Sequence, residues 1–322
     1  MVKAFLEADL KKLYIPSASS HKGQNGKLMV IGGSKLFHAA SLWALKVASR
    51  IVDMVFYSSV PENNEIVQKA KQEFRDGIVV KRSQIESYID EADCVLIGPG
   101  MLRSSKLKTQ SSKLQFKAQN LDEINRIEDE GIQTYFLTQY LFSKYRDKRW
   151  VVDAGSLQMM EPEWLRKLNG NVVITPHKKE FEMLFSSVIR NSFRDLDPES
   201  NEMLKPASQR GEQVQHDKKV EEAAKKYNCI ILLKGQTDIV CNPSKCVQIE
   251  GGNAGMTKGG TGDVLAGLVA ALYCKNDAFL SASSGSYINK KAGERLFERV
   301  GYYFNGSDLA DEIPKVMKGL LR

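Results

Sequence analysis

The chain has 322 residues, 46 Lys and Arg against 39 Asp and Glu, and 42% hydrophobic residues, a composition that excludes disordered and membrane-embedded proteins and leaves an ordinary globular one. No apolar run reaches the roughly 18 to 20 residues that span a bilayer, and "MVKAFLEADLKKLYIP" mixes charges into the place of a signal-peptide core, so a cytoplasmic protein without membrane contact is expected. The net charge of +7 is uneven, with ten Lys and Arg against six Asp and Glu between Arg103 and Arg149; without a basic stripe interleaved with aromatics, it predicts attraction for a phosphorylated small molecule rather than a nucleic acid.

In chain order, strand-length apolar runs alternate with helical patterns. "KLMVIGG" (Lys27–Gly33) precedes a helix over Ala39–Val52, and "DMVFYSS" (Asp53–Ser59) and "DCVLIGPG" (Asp93–Gly100) follow. Then come a helix over Ile132–Tyr145, "RWVVDAG" (Arg149–Gly155), a helix over Leu157–Leu168, "NVVITP" (Asn171–Pro176) and helices over Lys178–Ser186 and Lys218–Tyr227. After "CIILLKG" (Cys229–Gly235), the runs "DIVC" and "CVQIE" flank the turn-rich "NPSK" and predict an antiparallel hairpin at a sheet edge. Helices over Gly262–Cys274, Phe279–Arg299 and Ser307–Lys318 close the chain. Continuously apolar strands are covered on both faces, which predicts one α/β domain over residues 1–322, with a mostly parallel sheet between helical layers and a short antiparallel edge.

Two polar stretches, Met101–Gly131 and Arg190–Asp217, interrupt the rhythm and read as insertions or lids. The five cysteines are scattered among apolar neighbours and read as buried free thiols; "CNPSKC" has neither the spacing nor the second pair of a zinc site.

In an open α/β sheet the ligand lies beyond the carboxyl ends of the strands. The tips here are "GGSKLFHAA", "GPG", "DAG", "TPHKKEF" and "LKGQTD", with "KGGTGD" before a long apolar helix. Gly259, Gly260 and Gly262 let successive N–H groups around Thr261 converge, and the helix that follows adds its positive end, which makes an anion hole. Asp263 would repel a phosphate there unless it had another task. A general base fits: a substrate hydroxyl between Asp263 and the phosphate loses its proton as its oxygen attacks phosphorus. The pattern is neither a P-loop nor a dinucleotide fingerprint.

"NAGMTKGGTGDVLAGLVAAL" resembles the carboxyl-terminal signature of the NAD(P)H-hydrate dehydratases, a branch of the ribokinase-like superfamily. "HKGQNGKLMVIGGSKLFHAA", "VLIGPG", "VVDAGSLQMM", "ITPHKKEF", "LLKGQTD" and "GSDLADEIP" resemble the family's other blocks in the same order, over His21–Met317. The resemblance implies an enzyme that uses ADP or ATP, with Mg2+, to phosphorylate the ring hydroxyl of the S form of hydrated NADH or NADPH and to release it as phosphate. It implies nucleotide contacts at Lys234, Gly235, Gln236, Thr237 and Asp238 and at Gly259, Gly260, Thr261 and Gly262. It implies hydrate contacts at Ala40, Gly100, His177 and Asp263, with Glu180 as a possible magnesium ligand.

It further implies a homo-oligomer, commonly a tetramer. Family members often carry an amino-terminal epimerase domain, for which the roughly twenty residues before His21 have no room, so a separate epimerase chain is expected. The His of "TPHKKEF" resembles ADP-using bacterial and archaeal forms, by analogy only. Several residues depart from the family's pattern. Ala254 stands where proline is usual, Ser156 and Gln158 follow the "DAG" tip, and Lys258 precedes the glycines, where it either adds a phosphate contact or points into solvent. A kinase of a small vitamin alcohol and a non-catalytic nucleotide-binding regulator are the alternatives. The first would stop at a stable phosphate ester, and intact Asp263 and glycines argue against the second.

Overall fold

A computed structural model describes residues 2–70, 76–107, 118–186 and 209–321, with side chains left undescribed for Ala70 and for 209–217. The strands are β1 (Lys3–Ala4), β2 (Lys27–Ile31), β3 (Met54–Ser58), β4 (Ile78–Val79), β5 (Cys94–Ile97), β6 (Arg149–Val152), β7 (Val172–Ile174), β8 (Ile230–Leu233), β9 (Asp238–Cys241) and β10 (Cys246–Ile249). They form one sheet in the order β1-β10-β9-β8-β7-β6-β5-β2-β3-β4. Pairing is parallel from β8 through β4, antiparallel for β8 with β9 and β9 with β10, and parallel again for β1 with β10. The expected antiparallel edge is therefore present, with β1 added outside it.

The described helices are α1 (Ala39–Ala48), α2 (Pro61–Ala70), α3 (Ile85–Glu91), α4 (Leu121–Asn125), α5 (Glu130–Lys144), α6 (Ala154–Met159), α7 (Lys178–Leu184), α8 (Gln209–Tyr227), α9 (Thr261–Tyr273), α10 (Ala278–Val300) and α11 (Gly306–Leu320). Side chains alternate across each strand, so one run feeds two cores: Leu28 and Val30 join the cluster of α1, α9, α10 and α11, while Met29 and Ile31 join that of α3, α5 and α8. That two-sided burial is why the strands read as unbroken apolar runs.

The structure differs from the sequence reading in several places. The helix expected over Leu157–Leu168 is split: α6 ends at Met159, and a 3-10 turn over Pro162–Lys167 follows, because Pro162 has no N–H to continue the ladder. Cys241 and Cys246 are bonded across the β9–β10 hairpin, so two of the five thiols are not free, whereas Cys94, Cys229 and Cys274 are buried and free as expected. Directly opposed residues bring their Cβ atoms within bridging reach, which the short loop between them ensures. In the described parts of the Met101–Gly131 stretch, Leu107, Leu121 and Ile124 are buried in the core beside α5. Within Arg190–Asp217, residues 190–208 lie outside the described residues, and 209–217 begin α8. Among the described residues, no helix is long and apolar enough to cross a membrane.

Strand order reverses between β2 and β5, whose tips meet closely: Gly33 N donates to Pro99 O at 2.7 Å. A Cβ on Gly32 would lie 2.4 Å from that same carbonyl, so the approach requires glycine. This is the switch-point crevice of an open sheet.

Candidate active site

The first turn of α9 is built for a free N-terminus. Gly260 caps it in the left-handed region at φ 97°, and a Cβ there would sit 2.5 Å from the Trp43 indole of α1, so both the conformation and the packing demand glycine. Gly259, by contrast, would meet nothing within 4 Å, and Gly262 only the Lys234 ammonium, at 3.6 Å. The turn thus rests on Trp43 below and is open above. Thr261 closes it from within, its hydroxyl donating to Met256 O at 2.6 Å and Lys258 O at 2.9 Å.

Asp263, on that first turn, is part-buried. Burial pushes its carboxyl up and the Asp153 carboxylate adds to this; Lys234 and the residue's own backbone N–H pull it down, Glu180 pushes up again, and the result is a value of about 7. A carboxyl that titrates near neutrality holds a useful fraction of both forms where a cell operates.

Lys234 follows β8 and donates to Asp153 Oδ1 at 2.8 Å. Asp153, just after β6, is 2% exposed and also accepts from Thr175 Oγ1 at 2.9 Å. Burial acts to lower the Lys234 pKa, but Asp153 and Glu180 outweigh it and the net shift is upward. Three strand tips are thereby tied through one carboxylate. Sequence reading quoted the "DAG" tip without giving Asp153 a role, and its partner 81 residues away offers no local signal.

His177 caps α7: its Nδ1 accepts from Glu180 N at 3.3 Å, and Glu180 Oε2 accepts from His177 N at 2.9 Å. The imidazole remains exposed, and its backbone lies in a parallel bridge with Lys234. Glu180 is buried, and its other oxygen accepts from Gln158 Nε2 at 2.8 Å, so the departure noted at Gln158 is a working contact with the expected metal ligand. Ala40 and Gly100 are neighbours: a Cβ on Gly100, at φ 72°, would lie 3.1 Å from that of Ala40.

Of the residues expected for the nucleotide, all but Gly259 and Gly260 lie together. Lys234, Gly235, Gln236, Thr237, Asp238, Thr261 and Gly262 line one cavity of about 700 Å3, with Asn253, Leu265, Asn289 and Lys290. Asp238 belongs to its wall: its oxygens accept from Gly235 N at 2.8 Å and Ser286 Oγ at 2.7 Å. Lys290, missed in the sequence, donates to Gln236 O at 2.9 Å and Gly251 O at 3.2 Å and so joins the two loops that form this cavity. Gln158 and Glu180 line a second cavity of about 870 Å3 with Arg103 and Met183. Lys258 is in neither: it donates to Tyr302 O and to Phe304 O, the latter at 2.8 Å, and fastens the glycine turn to the α10–α11 corner.

The mostly parallel sheet between helical layers, with its short antiparallel edge, is a ribokinase-like fold, and the solved structures that the chain matches share it. Residues 28–315 match the family model described as NAD(P)H-hydrate dehydratase, and the chain belongs to that family. It is 33% identical over 333 residues to the ADP-dependent (S)-NAD(P)H-hydrate dehydratase of Nitrosopumilus maritimus, covering 99% of this chain and 98% of that one. It is 32% identical over 318 residues to the bifunctional NAD(P)H-hydrate repair enzyme Nnr of Methanocaldococcus jannaschii, covering 96% of this chain and 52% of that one, so it spans about half the length of such bifunctional relatives. The ADP/ATP-dependent NAD(P)H-hydrate dehydratase of Bacillus subtilis, crystallised with ATP and Mg2+, superposes with a TM-score of 0.69 at 18% identity, covering 99% of each chain.

Proposed function

We propose that this protein repairs hydrated nicotinamide cofactors, dehydrating the S form of NADH or NADPH hydrate with a nucleotide as phosphoryl donor. The observation that carries the reading is Asp263, a carboxylate with a pKa of about 7 on the first turn of α9, beside an open turn of glycines. Asp263 takes the proton of the ring hydroxyl while that oxygen attacks the terminal phosphorus. The N–H groups of Gly259–Gly262 and the Lys234 ammonium hold the charge on the transferred group. With ADP as donor, the sum is hydrate plus ADP giving NAD(P)H, AMP and inorganic phosphate. The closely matched Nitrosopumilus relative, named ADP-dependent, favours that donor over ATP.

The cavity at Lys234–Asp238 suits the nucleotide, and Ala40, Gly100 and His177 flank the side from which the hydrate would enter. Mg2+ fits this donor set in one way. Among the described residues no cluster of three or more His, Cys, Asp or Glu could cage a metal, but magnesium ordinarily takes one carboxylate together with waters and substrate phosphates, a role the buried Glu180 can fill. When bound, it would neutralise phosphate charge.

The test is absorbance recovery of S-form hydrated NADH with ADP or ATP. Free phosphate and reduced cofactor are expected in equal amounts, whereas a stable phosphate ester would assign the protein to a vitamin-alcohol kinase. Asp263→Asn should lower turnover by about 10²- to 10⁴-fold and leave nucleotide affinity nearly unchanged; wild-type turnover in that variant would remove Asp263 as the base.

A further inference from the structure

Near the first turn of α9 stand three carboxylates and one ammonium that act on one another: Asp153 after β6, Glu180 on α7, Asp263 on α9 and Lys234 after β8. An ammonium beside a catalytic base is a hazard, because direct pairing would neutralise the carboxylate and weaken it as a proton acceptor. In this structure Lys234 is claimed elsewhere. It lies 2.8 Å from Asp153 Oδ1, and that carboxylate is itself immobilised at 2% exposure by Thr175 Oγ1 at 2.9 Å. The backbone fixes the same point, since a Cβ on Gly98 would lie 1.8 Å from Asp153 O, so the β5 tip is pressed against it. The ammonium is nevertheless kept close to the anion hole, 3.6 Å from the position of a Gly262 Cβ.

The geometry points to Asp153 as a positioning residue that holds Lys234 off Asp263, so that the ammonium serves the transferred phosphoryl group while the base stays free to accept the hydroxyl proton. The inference rests on the transfer reaction proposed above for its purpose, but the arrangement of charges it describes can be tested without turnover. Glu180 is held by Gln158 Nε2 and His177 N, so it is Asp153 that meets the ammonium directly. With Asp153 gone, Lys234 is left with Glu180 and Asp263, the two other carboxylates that act on it. Two effects then act in one direction on Asp263: a repelling negative charge is lost, and a positive charge moves closer.

The experiment is a carboxyl ¹³C NMR titration of Asp263 in the nucleotide-free whole chain, assigned by the signal missing in Asp263→Asn, with a kcat/KM pH profile recorded alongside. Asp153→Asn should move the Asp263 midpoint down by about one unit or more, and Lys234→Met should move it up. In the rate profile, the acidic limb of Asp153→Asn should move down by a similar amount while the plateau falls, whereas a purely structural defect would lower the plateau and leave the limb in place. A midpoint in Asp153→Asn that falls by less than about half a unit, or rises, overturns the inference. If Asp153→Asn does not fold, Lys234→Met decides alone, and an unchanged or lowered midpoint in it overturns the inference. Wild-type protein that shows the expected titrations but converts no hydrate would refute the proposed reaction and leave the charge arrangement standing.

Discussion

Asp263 combines two demands that oppose each other. A base useful near neutrality has to be partly withdrawn from water, and withdrawal destabilises the fold whenever the group is charged. Its carboxyl binds its proton more tightly in the folded chain, with a pKa of about 7, than an ordinary aspartate does at 3.8. The contribution to stability is therefore fully present below about pH 4 and is lost as pH rises through about 7. Asp263→Asn should accordingly melt higher than the wild type, with a gain that grows between about pH 4 and 7, levels off above that, and is of order a few kcal/mol at its plateau. Thermal melts of both proteins across that range check this, and equal melting at pH 8 would mean that the carboxylate is not strained. The residue was legible in the sequence because glycines on either side of Thr261 mark a turn where an acidic side chain is out of place. Asp153 was not, because an aspartate at a strand end is commonplace and only the fold brings Lys234 and Thr175 to it.

Among the elements, α9 holds the site together. Its amino end lies on Trp43 of α1, and Trp43 Nε1 donates to Ser307 Oγ at 2.9 Å at the start of α11. Lys258 adds a second tie to the same corner through the carbonyls of Tyr302 and Phe304. Lys258→Met should weaken nucleotide binding by about threefold to tenfold, by loosening the turn, without altering the pH dependence of turnover; a direct phosphate contact would instead give a larger loss for ADP than for AMP. Isothermal titration with both nucleotides separates the two. The central strands and α9 to α11 were legible because continuous or helically spaced apolar runs announce them. The missed elements lack that signal. In α2, "PENNEIVQKA" presents Val67 as its one apolar residue in the core, and β1 and β4 have two residues each. In the stretch read as an insertion, Leu121 and Ile124 alone anchor α4, too few for a periodic pattern to show.

At the scale of the molecule, one cavity runs along Lys234–Asp238 with Lys290 on its wall and another lies beside Gln158 and Glu180. Under the proposed reading, the dehydratase site within residues 1–322 should act on one hydrate epimer only. Given an R and S mixture with ADP, it should consume the S fraction quickly and stall until an epimerase is added, which chiral chromatography of the remaining hydrate would show. Continued conversion of the R form at the same rate would contradict that expectation. This division of labour lies beyond what one chain's residues spell out, because stereochemical choice depends on the shape of the hydrate's pocket rather than on any motif.

The tie between the two ends of the sequence has a consequence for synthesis. The glycine turn at Gly259–Gly262 is translated well before α11, yet its backbone is completed by it: a Cβ on Gly306 would lie 3.2 Å from Gly260. At the other extreme, Lys3 and Ala4 wait for Val247 and Gln248 to form their short strand pair. A ribosome-bound chain lacking its last few dozen residues thus carries all of the nucleotide-facing loops without the brace that shapes them. Under the proposed reading, nucleotide capture by that turn should follow the docking of α11 in the life of the nascent polypeptide.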